Sequence, residues 1–223
     1  MTTEKTELLL SGYDALLFSY AAGNLDEAQS LAVATHLTFS EKARSIVRQC
    51  EDLGGALIEK ECEPVSMCDQ ALHNVLSRIE KSPHAAACAE KCAEKHQLGF
   101  DIPKPLEETI AGHSVKWTTL FPGMKAYDLP LNCKQSVARF MKADPGNVSP
   151  HHHHGGTEIT LVLDGAFSDE MGQYRRGDLI VADEECDHTP KACPERGCVC
   201  LVVTSGPIKL TGIASLLNPF LKP

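Results

Sequence analysis

The segment Pro150-His151-His152-His153-His154-Gly155-Gly156-Thr157-Glu158 is the sharpest chemical feature of the chain. On a strand, residues two apart share a face. His152, His154 and Glu158 then fall on one parity, and His151 and His153 on the other. Imidazole nitrogen together with carboxylate oxygen suits zinc and similar divalent ions. One strand would thus offer three converging ligands. His188, in Asp187-His188-Thr189-Pro190, offers a fourth from a later strand. The competing reading is a solvated polar loop.

A second candidate is His84-x3-Cys88-x3-Cys92-x3-His96. Neighbours four apart lie on one helix face, but the run spans roughly 18 Å as a helix, too far for one tetrahedral ion. An alanine-rich helix with incidental thiols is the expectation. Cys198 and Cys200 share a strand face, as a redox pair or as buried small apolar groups. The chain has 10 cysteines, none in a CxxC pair. Without an export signal they read as thiols rather than disulfides.

These residues need a scaffold, and the chain changes character near residue 100. Before it the pattern is helical. Asp14 to Ala22 leads to Gly23, a C-terminal cap. Asp26 caps a second helix through Leu31, Val33 and His36, and Ser40 opens a third that Gly54-Gly55 interrupts. A fourth runs from about Met67 through Leu72, Val75, Leu76 and Ile79, and Ser82-Pro83 starts a short one ending before Gly99. After Leu106 come short strands: Val115–Trp117, Val137–Phe140, Thr157–Leu163 and Val199–Thr204. Gly and Pro punctuate them, as in a sandwich or barrel. The expected division is a helical domain over 1–98, a linker over 99–106 and a β-domain over 107–223.

Composition narrows the function classes. The 223 residues are 43% apolar and 23% charged, with a net charge of −9, and both halves are acidic. Duplex DNA binding needs a basic footprint, so a direct nucleic-acid partner is not expected. No apolar run reaches the ~20 residues of a membrane span. Met1-Thr2-Thr3-Glu4-Lys5 lacks a signal-peptide layout, so a cytoplasmic protein is expected.

The spacing Gly146-x5-His152-x-His154-x3-Glu158-x6-Gly165 matches the first cupin motif, and Gly177-x5-Asp183-x-Glu185-x2-His188 is a looser second one. Tyr20-Ala21-Ala22-Gly23 and Val33-Ala34-Thr35-His36-Leu37 resemble the helical start of ChrR-type anti-sigma factors. Thr160 to Glu170 and Gly197 to Leu201 resemble their cupin half. The resemblance implies an α+β chain, an N-terminal helical bundle followed by a cupin double-stranded β-helix barrel. It implies one divalent metal ion held by His152, His154, Glu158 and His188, zinc first, with manganese, iron or nickel as alternatives. It also implies sequestration of an extracytoplasmic-function-type sigma factor by the helical half, with release linked to singlet oxygen. Leu16, Leu17 and Tyr20 on the first helix are the first candidates for partner contact. A small-molecule ligand in the cupin and a homodimer stay open.

One departure stands out. The family's helical zinc site uses an upstream His and a His-x3-Cys-x2-Cys run, but here Ser11, Ser40 and Ala43 stand with His36. One imidazole cannot close a structural zinc site, so this half is expected to fold by apolar packing. The alternative function is a metal-dependent cupin enzyme, a dioxygenase or isomerase, which would need an open metal position. A storage or ligand-binding cupin ranks third.

Overall fold

A computed structural model describes residues 2–81, 98–184, 186–206 and 208–210, with side chains at 2–11, 153–154 and 208–210 excluded. The helices in these residues are α1 (Thr2–Ala21), α2 (Glu27–Phe39), α3 (Glu41–Glu61), α4 (Ala71–Lys81) and α5 (Lys104–Ile110). The cap residues act as their chemistry dictates. Asp26 accepts the Gln29 N–H at 2.9 Å, and the Gln29 side chain returns to the Asp26 N–H, a reciprocal capping box. Ser40 accepts the Ala43 N–H at 3.1 Å and starts α3. Gly23, at φ 69°, ends the first helical segment.

Two expectations are corrected here. Gly54-Gly55 does not interrupt α3, which runs unbroken to Glu61. Each glycine costs a helix roughly 1 kcal/mol, and the helix formers on both sides carry the backbone hydrogen bonds across them. The fourth helix begins at Ala71 rather than near Met67. The run 82–97, with His84, Cys88, Cys92 and His96, lies outside the described residues.

The strands are β1 (Thr118–Phe121), β2 (Met124–Asp128), β3 (Val137–Ala143), β4 (His152–His154), β5 (Glu158–Ser168), β6 (Gln173–Arg175), β7 (Leu179–Ala182), β8 (Asp187–His188), β9 (Lys191–Ala192), β10 (Cys198–Thr204) and β11 (Ile208–Leu210). The larger sheet runs β1-β2-β3-β10-β5-β6, with β7 and β9 also on β5, and the smaller runs β11-β4-β8. All the described pairings are antiparallel. A glycine pair tightens the turn end of β10: a Cβ on Gly165 would strike the Gly197 carbonyl oxygen. Only glycine fits at this approach.

Both faces of the larger sheet are covered, which is why Glu158 to Leu163 are all buried. The outer parity of β3, β5 and β10 contributes Phe140, Leu161 and Leu201 to one core with Leu17 and Val33 of the first two helices and Leu106 and Ile110 of α5. The helical start and the barrel therefore share apolar packing. Helix α5 begins inside the segment expected to be a linker. The inner parity faces a cavity, with a separate cluster of Val162, Phe167, Cys198, Cys200 and Val202.

Candidate functional site

The smaller sheet places two of the expected ligands side by side. His152 on β4 pairs directly with His188 on β8, and their rings lie 4.7 Å apart between centroids. Both are buried, as is Glu158, which opens β5 on the facing sheet. All three line one cavity of about 740 Å³ inside the barrel. The backbone of His154 pairs with Ile208 two residues along β4 from His152; its side chain lies outside the described positions. Among the described residues, no group of three His, Cys, Asp or Glu side chains is gathered closely enough to hold an ion.

The ring nitrogens of the pair are oriented by their outer partners. His152 Nδ1 lies 2.8 Å from the Pro150 carbonyl, and His188 Nδ1 lies 3.2 Å from Asp169 Oδ2. A carbonyl and a carboxylate only accept, so both Nδ1 atoms donate. The two Nε2 atoms then face each other at 3.2 Å. If both rings are neutral, two lone pairs meet, so the geometry calls for a cation between them, a proton or a metal ion. Two nitrogens about 2.05 Å from a tetrahedral ion would sit about 3.3 Å apart. The donor set therefore fits a zinc-like ion. Glu158 Oε1, 3.0 Å from the Thr160 hydroxyl that donates to it, supplies an oriented carboxylate in the same cavity.

Asp169 is the residue that sequence reasoning passed over. Its side chain is 1% exposed. Oδ1 accepts the backbone N–H groups of Met171 at 2.9 Å and Gly172 at 3.1 Å, while Oδ2 faces His188. Burial works to raise its pKa, but these hydrogen bonds outweigh burial and hold the carboxyl below its ordinary range. Burial and the adjacent Asp169 push the Tyr174 hydroxyl up to about 12. The signal available in the sequence was weak: one acid in Ser168-Asp169-Glu170, 19 residues from its histidine.

Cys198 and Cys200 line the same cavity with their sulfurs 3.3 Å apart. Hydrogen bonding with Cys198, then burial, pushes the Cys200 thiol well above its ordinary value. That is the chemistry of protonated thiols packed in a core.

In the helical half, His36 is held by a tyrosine and a backbone carbonyl. Its Nε2 meets the Tyr13 hydroxyl at 2.8 Å and its Nδ1 the Gly177 carbonyl at 3.0 Å, in the turn between β6 and β7. Since Gly177 O only accepts, Nδ1 donates, and in the neutral ring Nε2 accepts from Tyr13. Burial lowers the His36 pKa, and the Gly177 carbonyl and Asp178 oppose that shift. Ser40 caps α3, and Ala43 is fully buried in the core. The two positions that differ from the family's zinc run thus have a cap and a packing role. Leu16 and Leu17 lie in the shared core, and Tyr20 packs against it. Buried side chains cannot meet a partner without unpacking, so a change at Leu16 or Leu17 acts first on the fold.

Apart from Phe18 on α1, 56% exposed, the large apolar side chains of the helical half that face solvent lie on α3, α4 and the segment between them. Leu72, Val75, Leu76 and Ile79 form an i, i+3, i+4, i+7 stripe on α4, 49–67% exposed, and Leu53, Leu57 and Ile58 on α3 are similarly open. None of the residues of α4 is buried. No described helix is long and apolar enough to cross a membrane.

Comparison with known proteins agrees with this layout. Residues 106–208 match the family model described as the ChrR cupin-like domain. The anti-sigma-E factor ChrR of Cereibacter sphaeroides is 36% identical over 214 residues, 94% of this chain and 96% of that protein. The crystal structure of Rhodobacter sphaeroides SigE in complex with the anti-sigma ChrR superposes with a TM-score of 0.70 at 36% identity, covering 86% of this chain and 96% of that one. With the helical start, the barrel and the length of the likeness all in agreement, this chain belongs to the ChrR family of anti-sigma factors.

Proposed function

We propose that this chain sequesters an extracytoplasmic-function-type sigma factor in the cytoplasm and releases it in an oxidative, singlet-oxygen-like response through a metal-binding cupin. The single observation that carries the reading is the near full-length likeness to an anti-sigma factor. A lone cupin enzyme has no need of the helical half.

The exposed apolar side chains of α3 and α4 are the proposed contact surface. A solvent-facing stripe such as Leu72–Ile79 is the pattern that an amphipathic helix presents to a partner groove. In the cupin, His152, His154, Glu158 and His188 would hold one divalent ion, zinc first. The fit rests on the 3.2 Å approach of the two Nε2 atoms. Bound there, the ion would supply Lewis acidity and an exchangeable position. The chain's own part is to fix both imidazole tautomers through Pro150 and Asp169, and to screen the site from bulk water.

The test is a pull-down from the native cell with the full chain as bait, together with metal analysis of the purified protein. Recovery of a sigma factor in stoichiometric amount, and about one ion per chain that is lost in His152→Ala plus His154→Ala, is the expected result. Absence of any sigma factor with turnover of a substrate would establish the enzyme reading instead.

A further inference from the structure

The cavity holds one polar feature that neither the metal reading nor the sigma-factor reading uses. Arg139 lies on the inner parity of β3 and lines the cavity, its side chain 18% exposed. Its Nε is buried and meets no hydrogen-bond partner among the described residues. Asp128, the cross-strand neighbour of Arg139 on β2, brings Oδ1 to 3.1 Å from that nitrogen. The carboxylate stands off the N–H direction, so charge is offset while the donor stays unmet. Asp128 is also 67% exposed, at the rim, where water screens it. A guanidinium carries a fixed charge and a planar fork of donors suited to a two-oxygen acceptor. Leaving such a donor buried and unmet is costly.

The surroundings give the rest of the ligand. Arg139 sits in one row with Val202 and Thr160 on the next two strands, so Thr160 is about 10 Å away. Met141 and Val202 make the floor between them, and Leu120 stands 41% exposed at the mouth. A cavity of about 740 Å³ falls within the size of small-molecule sites. Arg139 and Lys116 are the cations of the lining and Asp128 and Glu158 its carboxylates, and so balanced a lining suits a singly charged anion better than a doubly charged one.

We propose that the barrel cavity binds a small organic monocarboxylate, its carboxylate on the Arg139 guanidinium and its apolar body along Met141 and Val202. The assignment does not depend on a metal: binding through an ion at His152 and His188 would survive the loss of Arg139.

Calorimetric titration of the full chain with hexanoate and octanoate, against 1-hexanol and hexyl phosphate, tests it. Hexanoate or octanoate should bind with a Kd below about 10 mM, at least tenfold tighter than the alcohol and tighter than the phosphate. Arg139→Gln should weaken carboxylate binding at least tenfold. Asp128→Asn removes the competing anion at an exposed position and should tighten binding several-fold. Failure of both carboxylates to bind, equal binding by Arg139→Gln, or preference for the alcohol or the phosphate would each overturn the proposal. If Arg139→Gln does not fold, Asp128→Asn decides: tighter binding supports the assignment, and unchanged or weaker binding overturns it.

Discussion

Helices α1 and α2 differ from α4 and the second half of α3 in what most of their large apolar residues do. Leu17, Ala32 and Val33 are fully buried against the outer face of the barrel, while Leu53, Leu57, Leu72 and Ile79 are more than half exposed. Similar periodicity thus serves two ends. The first two helices and the start of α3, through Ala43 and Val47, join the scaffold. The end of α3 and α4 leave exposed apolar surface of the kind that marks interaction sites. The barrel makes the same division across one sheet, with Leu201 and Val203 turned to the helices and Cys200 and Val202 turned to the cavity.

The largest effect that probes this contrast comes from Phe140→Ala. Phe140 is fully buried on the barrel side of the shared core, and its truncation should cost about 3–5 kcal/mol. Thermal melts followed by far-ultraviolet circular dichroism should show helix and sheet lost in one transition at a lower Tm. Two separated transitions would break the contrast, because α1 and α2 would then not depend on the barrel.

Next comes the exposed stripe. Leu72→Ser combined with Ile79→Ser should leave the stability of the free chain within about 0.5 kcal/mol, since both side chains are more than half exposed. Affinity for the sigma factor should fall about 100-fold, roughly 2.7 kcal/mol. A large stability loss with intact binding would move α4 into the scaffold class.

Asp169→Asn probes the barrel away from the stripe. Removing the charged acceptor of His188 Nδ1 should weaken zinc binding about 10- to 100-fold, measured by competition with a chromophoric chelator. Sigma-factor affinity of the metal-loaded protein should stay unchanged. Equal zinc affinity in variant and parent would deny Asp169 its orienting role.

The smallest effect lies at the contact between the two regions. His36 in the folded chain holds its proton less firmly than the ordinary value of 6.5, chiefly because it is buried. The unfolded chain then binds more protons on the acid side of 6.5, so this contribution is present above about 6.5 and is lost as pH falls toward and through the folded value. Urea midpoints of the parent should therefore drop more between pH 7.5 and 5.5 than those of His36→Gln. Parallel pH dependence in the two would assign the effect to other histidines.

The motif spacing singled out His152, Glu158 and His188, which all line one cavity, but the single-strand parity argument did not hold: residues 155–157 turn the chain between β4 and β5, so His152 and Glu158 stand on strands of different sheets. The caps at Asp26 and Ser40 were legible because a side chain three residues from a backbone N–H is a local event. Asp169 was not, since its contact with His188 depends on how a turn returns the chain. Nor was the burial of Leu16 and Leu17. A helical stripe reads the same whether a barrel or a partner covers it, and only the outer face of the folded sheet distinguishes α1 from α4. Arg139 gave no signal for a similar reason, being one charge in a short strand until the barrel closes around it.

The shared core also bears on the order of synthesis. The helices α1 and α2 leave the ribosome roughly 160 residues before β10 is complete. At about 5–20 residues per second, Leu17 and Val33 wait some 8–30 s for the strands that cover them. Throughout that interval the nascent chain displays both apolar surfaces at once, the one destined for the barrel and the one that stays open. A chaperone or an early-arriving partner meets a stickier molecule than the finished one.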